Sequence, residues 1–230
     1  MQRNSLPRRI AAVLWDFDDT LVDSLPARVH ALAQVFHDAN IEDVDPEGFL
    51  LSIAGKTLQE TLPPLAVSHG SACDLFDQYR RIYWTKKPST LRLYPGIEAV
   101  LDGLQQRGVP LAIVTSKGRS LEVEGVPAGV SAELEELGVA ERFPVVVGLE
   151  DVDEPKPHPE GVLQALEQLG VEPEQALMVG DSIADIEAAK AAGCWSCMAT
   201  WGVPDGAERA RRANADLVAE TPGDVLRFVG

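Results

Sequence analysis

The apolar and polar positions divide the chain into two kinds of text. Residues 10–15, Ile10-Ala11-Ala12-Val13-Leu14-Trp15, form a short apolar run with the length and branching of a buried strand. From Leu25 the apolar positions take helical spacing, with Leu25, Val29, Leu32 and Phe36 on one face. Asp45-Pro46 reads as an N-cap followed by a first-turn proline, and helical stretches follow over 47–53, 57–67 and 71–86. Lys87-Pro88-Ser89-Thr90 then breaks the pattern, so residues 24–90 read as an all-helical insertion.

After Tyr94-Pro95-Gly96 the text alternates. Strands are predicted at 109–116, 145–147, 176–180, 195–200 and 215–218. Between them lie helical faces at Ile97, Val100, Leu101 and Leu104, at Val162, Leu163, Leu166 and Leu169, and over 183–192 and 205–212. Alternating strands and helices imply an α/β fold with a doubly wound parallel sheet, and right-handed crossovers place helices on both faces. The expected organisation is a sheet core from 1–23 and 91–230, with 24–90 as the inserted helical domain. In Gly125-Val126-Pro127-Ala128-Gly129, proline and two glycines predict a local loop after Ser120.

Composition narrows the classes of function. A formal net charge of −16 argues against nucleic acid, whose phosphates need a basic footprint. An anionic substrate would have to be met by a few locally placed cations. No apolar run approaches the ~18 residues of a membrane span. Arg8 and Arg9 precede an apolar run as in a signal peptide, but Asp16 stops that run early, so the expectation is a cytoplasmic protein with no membrane partner. Three cysteines give no disulfide framework. Cys194 and Cys197 match C-x-x-C, yet they fall where a strand is expected, on opposite faces, which disfavours a redox site.

Chemistry-bearing residues gather at strand ends. Asp16 and Asp18 alternate, so both point one way at the carboxyl end of the first strand. Thr115 and Ser116 end the second strand, Lys156 lies in Glu154-Pro155-Lys156-Pro157, and Asp181 and Asp185 follow the strand at 176–180. Parallel sheets hold ligands at this edge. Carboxylate oxygens suit Mg²⁺, while hydroxyls and an ammonium suit phosphoryl oxygens. Ser182-x-x-Asp185 is also a capping-box pattern, so Asp185 serves its helix, the metal, or both.

Asp16-Phe17-Asp18-Asp19-Thr20, Thr115-Ser116, Lys156 and Gly180-Asp181-Ser182-x-x-Asp185 resemble, in order, the four motifs of the haloacid dehalogenase superfamily. Within it the chain looks most like phosphoglycolate phosphatases and related small-molecule phosphatases. The resemblance implies a Rossmann-like core with a helical cap, and a Mg²⁺-dependent phosphatase working on a small phosphorylated metabolite, as a monomer or homodimer. It implies Asp16 as nucleophile, Asp18 as general acid and base, and Thr115, Ser116 and Lys156 as phosphate ligands, Lys156 also neutralising the nucleophile. It implies Mg²⁺ held by Asp16, the Asp18 carbonyl and Asp181, with Asp185 direct or through water. Position 19 departs from the motif, which usually has glycine there.

Other features carry less. Gly55-Lys56-Thr57 resembles the end of a P-loop, but Leu50 stands where that motif needs glycine and no strand precedes it. In the family this loop belongs to the cap, so Lys56 is a candidate substrate contact or a solvated lysine. His30 and His37 make a poor metal pair, and Arg209, Arg211 and Arg212 read as a solvated helix face. Alternatives on the same core are a phosphosugar mutase and a phosphonate hydrolase. A regulatory module that binds phosphometabolites without turnover is the alternative from another class.

Overall fold

The computed structural model describes residues 10–53, 57–86, 91–204 and 206–229. In chain order the elements are β1 (Ala12–Trp15), β2 (Val22–Asp23), α1 (Leu25–Asp38), α2 (Pro46–Ser52), α3 (Leu58–Ser68), α4 (Leu75–Lys86), β3 (Arg92–Leu93) and α5 (Ile97–Gln106). There follow β4 (Leu111–Val114), β5 (Leu121–Val123), β6 (Val126–Ala128), α6 (Val130–Glu136), β7 (Val145–Val147), α7 (Glu160–Leu169) and β8 (Ala176–Gly180). The chain ends with α8 (Ile183–Ala192), β9 (Trp195–Ala199), α9 (Gly206–Ala213), β10 (Leu217–Ala219) and α10 (Val225–Phe228).

Six parallel strands form one sheet in the order β10-β9-β8-β1-β4-β7. Helices lie on both sides of it. Strand residues alternate between the faces: Ala12, Leu14, Ala112, Val114, Ala176 and Met178 share a core cluster with Val162, Ala165 and Leu166 of α7 and Ala188, Ala189 and Ala192 of α8. Val13, Trp15, Ile113, Leu177 and Val179 on the opposite face are also buried. The small side chains of α8 suit its close approach to β8 and β9. The strand order reverses between β1 and β8, which pair from Ala12↔Ala176 to Trp15↔Val179. Such a reversal opens a crevice at the carboxyl ends of the two strands.

The chain splits into two compact units. The helical unit holds Ser24–Leu91 and, in addition, Leu121–Ala128. Its own core joins Leu32, Val35 and Phe36 of α1, Leu62 of α3 and Leu75, Ile82 and Tyr83 of α4. Asp45 caps α2 through Oδ2, which accepts from the Gly48 amide at 2.6 Å, with Pro46 in the first turn.

The segment after Ser120 is not a loop but a β-hairpin, with Leu121↔Ala128 and Val123↔Val126 paired. Glu124 (φ 52°) and Gly125 (φ 79°) make its two-residue turn, both in the left-handed region that matches the twist of a hairpin. Breakers that end a helix here shape a tight turn instead. The hairpin packs on α4, which is why it clusters with the helical unit rather than the sheet.

Candidate active site

The crevice between β1 and β8 collects the strand-end residues. Asp16 follows β1 directly, its amide donating to the Val179 carbonyl of the neighbouring strand at 2.9 Å. Lys156 reaches across and donates through Nζ to Asp16 Oδ1 at 2.6 Å, to Asp185 Oδ1 at 2.6 Å and to the Val114 carbonyl at 3.0 Å. Its side chain is only 6% exposed, so the ammonium is fixed in place by three oxygens. Burial alone would depress an ammonium, but the charges of Asp16 and Asp185 win and hold Lys156 protonated.

Asp185 does two things with its two oxygens. Oδ2 accepts from the Ser182 amide at 3.0 Å and the Ser182 hydroxyl at 2.6 Å, closing the capping box of α8. Oδ1 faces Lys156. Gly180 is required beneath it, since a Cβ there would lie 2.3 Å from the Asp185 carboxyl carbon. Asp181, also buried, accepts from the Thr20 hydroxyl at 3.2 Å.

Asp16, Asp181 and Asp185 offer ligand oxygens that all lie within 4.8 Å of one another. Desolvation pushes the Asp16 carboxyl up to about 7 against the pull of Lys156, and repulsion from Asp185 and Asp18 adds to it. Burial, with repulsion from Asp16, Asp185 and Asp19, likewise holds Asp181 well above the usual carboxylate range, against Arg209. Lys156 and Arg209 set two cations against these three buried carboxylates, and hard oxygen donors in this number fit a magnesium ion.

Thr115 and Ser116 follow β4. The Thr115 hydroxyl accepts from the Lys117 amide at 3.1 Å, which leaves its own proton free to be directed elsewhere. Asp18 sits beside this turn, with its side chain 22% exposed. Lys56 lies outside the described residues. Asp19, the departure from the motif that the chain resembles, has φ 60°, the left-handed conformation that glycine adopts without strain. Aspartate is among the few other residues that adopt it readily.

The family model for haloacid dehalogenase-like hydrolases matches residues 13–199. The chain belongs to the haloacid dehalogenase-like hydrolases. It is an enzyme, a phosphatase of that family. It is 31% identical to a phosphoglycolate phosphatase of Escherichia coli O157:H7, over 96% of this chain and 93% of that protein. It is also 31% identical to the pyrophosphatase PpaX of Bacillus velezensis, over 97% of this chain and 98% of that protein. A solved haloacid dehalogenase-like hydrolase from Streptococcus pneumoniae superposes with a TM-score of 0.76 at 26% identity, covering 95% of this chain and 98% of the other.

Three residues of this hydrolase's site escape a reading of the sequence. Lys117 donates to Glu133 Oε2 at 2.5 Å and to Asp18 Oδ1 at 3.3 Å. Glu133 is fully buried on α6, although its position in an acidic run, Glu133-Leu134-Glu135-Glu136, suggests a solvated face. Arg209 is a correction to the solvated-face reading: its side chain is 11% exposed and Nη1 lies 3.6 Å from Asp181 Oδ2. Arg211 and Arg212 are exposed. Arg209 is turned inward by Asp181, on a helix that packs against β9. His30 and His37 are exposed on α1.

Proposed function

We propose that the chain is a Mg²⁺-dependent phosphomonoesterase that hydrolyses small phosphorylated metabolites through an aspartyl phosphate on Asp16. The observation that carries this reading is the hold of Lys156 on Asp16 at 2.6 Å, at the reversal point of the sheet. It gives a buried carboxylate a fixed cation beside the oxygen that an anionic phosphate must approach.

In this reading an Asp16 oxygen attacks phosphorus, and the bond to the leaving oxygen breaks. Asp18 gives its proton to that leaving alcohol oxygen. Asp18, now a carboxylate, takes a proton from a water that attacks the phosphorus of the aspartyl phosphate, releasing inorganic phosphate and restoring Asp16. The Thr115 hydroxyl and the turn at Ser116 hold phosphoryl oxygens, and Lys156 neutralises charge shared by Asp16 and the phosphoryl group. Asp16, the Asp18 carbonyl, Asp181 and Asp185 would hold the magnesium ion, which when bound supplies charge to offset the phosphoryl oxygens.

The helical unit, residues 24–91 with 121–128, is the proposed cap, carrying the choice of substrate and Lys56. The phosphoglycolate phosphatase and pyrophosphatase relatives make phosphoglycolate and pyrophosphate the first compounds to test, with sugar phosphates, nucleotides and phosphonoacetaldehyde beside them. Mg²⁺-dependent phosphate release from one or a few of these, lost with chelator and with Asp16→Asn, is the expected result. A folded, Mg²⁺-loaded protein that releases no phosphate but interconverts sugar phosphates would replace this reading with that of a mutase.

A further inference from the structure

We infer that Lys117, locked by Glu133, is a positioning residue that fixes the carboxylate of Asp18. The inference rests on the proposed acid and base role of Asp18.

Lys117 is held at every level. Its amide donates to the Thr115 hydroxyl, its carbonyl accepts from the Leu149 amide at 3.0 Å, and the Arg119 amide two residues on donates to Glu150 at 2.8 Å. The side chain is 16% exposed and runs over Phe17, with Nζ 5.4 Å from the ring centroid. A lysine loses much rotamer freedom when ordered in this way. The 2.5 Å contact with Glu133, whose side chain is 1% exposed, offsets that cost. The second direction of Nζ is toward Asp18 Oδ1.

The pairing has a chemical consequence. Glu133 cancels most of the ammonium charge, so Asp18 is offered a directed hydrogen bond more than a bare cation. A bond to the carboxylate restrains its rotation at the point where the group exchanges protons with leaving group and water. A general acid or base works only within hydrogen-bond reach of the proton it moves. Asp18 is the more exposed of the two catalytic aspartates, at 22% against 11% for Asp16, and Asp16 already has Lys156. Of the two, Asp18 has the greater need of an anchor.

The test is steady-state hydrolysis of a phosphomonoester in Mg²⁺ by Lys117→Met, Lys117→Arg, Asp18→Asn and the double variant Asp18→Asn/Lys117→Met. Lys117→Met leaves Glu133 buried without its cation, so Lys117→Met/Glu133→Gln is measured as well, to separate misfolding from positioning. The expected outcome is a fall in kcat of about 10- to 100-fold, within the range of a general acid–base contribution. KM stays unchanged, and Lys117→Arg recovers part of the loss. The double variant with Asp18→Asn turns over no more slowly than Asp18→Asn alone, since Lys117 acts only through Asp18. Wild-type kcat in folded Lys117→Met/Glu133→Gln overturns the inference. So do losses that multiply in the double variant. Asp18→Asn at the wild-type rate overturns the acid and base reading itself, and the role of Lys117 falls with it.

Discussion

Gly202 faces the carbonyl of Asp19 with no space between them: a Cβ at Gly202 would lie 1.9 Å from that oxygen. The neighbouring Trp201 donates its indole N–H to the Thr20 carbonyl at 2.9 Å. The turn after β1, which carries Asp16 and Asp18, is therefore braced from the far side of the sequence. Gly202→Ala is expected to displace the Asp19 peptide and with it the Asp18 carboxylate. Overpacking of this kind costs about 1–3 kcal/mol. Urea unfolding should show that loss, and turnover should fall by more than stability alone explains. A Gly202→Ala enzyme with unchanged turnover would mean the turn is not set by this contact.

Among the described residues, Lys156 is the single cation bonded to both Asp16 and Asp185. Replacing it by methionine leaves two buried carboxylates facing each other. Breaking a buried ion pair by removing one partner costs about 3–5 kcal/mol. In chelator at pH 8 Lys156→Met should lose stability on that order, and less at pH 5, where the Asp16 carboxyl, raised to about 7 by desolvation, is protonated. Guanidinium unfolding at the two pH values checks it. Equal losses at both would show that lost packing, not charge, is responsible.

The sheet and the four strand-end clusters were legible in the sequence because each rests on local information. A parallel core strand is a short apolar run, and a carboxylate of the cluster follows it directly, as Asp16 follows Trp15 and Asp181 follows Gly180. Asp19 was legible as an oddity, and its left-handed backbone supplies the reason. What was not legible depends on contacts between distant residues. Nothing in Glu133-Leu134-Glu135-Glu136 says which glutamate turns inward, because that is set by Lys117, sixteen positions away. Arg209 is drawn in by Asp181, from a different strand end. The hairpin at Leu121–Ala128 reads from sequence only as a local loop after Ser120, because Glu124-Gly125 lacks the Asn or Asp that usually announces this turn.

The thiols offer a check on the fold independent of activity. Cys73 is exposed, whereas Cys194 and Cys197 are free and buried. Burial pushes the Cys197 thiol up, away from the reactive thiolate. A thiol reagent should therefore label one cysteine in the native protein and all three in denaturant. Rapid labelling of two or three in the native state would mean that β9 is open to solvent.

The buried carboxylates predict how pH and magnesium act together. The Asp16 carboxyl is pushed up to about 7 by desolvation, and Asp181 is raised as well. Both groups titrate near 3.9 in the unfolded chain. Between these values the metal-free native state binds more protons than the unfolded state, so its stability falls as pH rises. The favourable contribution is complete below pH ~4 and is lost as pH passes through the folded value. A metal ion needs the carboxylates ionised, and binding it stabilises the native state by mass action. The rise in Tm on adding Mg²⁺ should therefore be small at pH 5.5 and grow toward pH 8. Asp181→Asn should flatten that growth, as it removes one titrating ligand. A Mg²⁺ increment independent of pH would show that the ion binds elsewhere than among Asp16, Asp181 and Asp185.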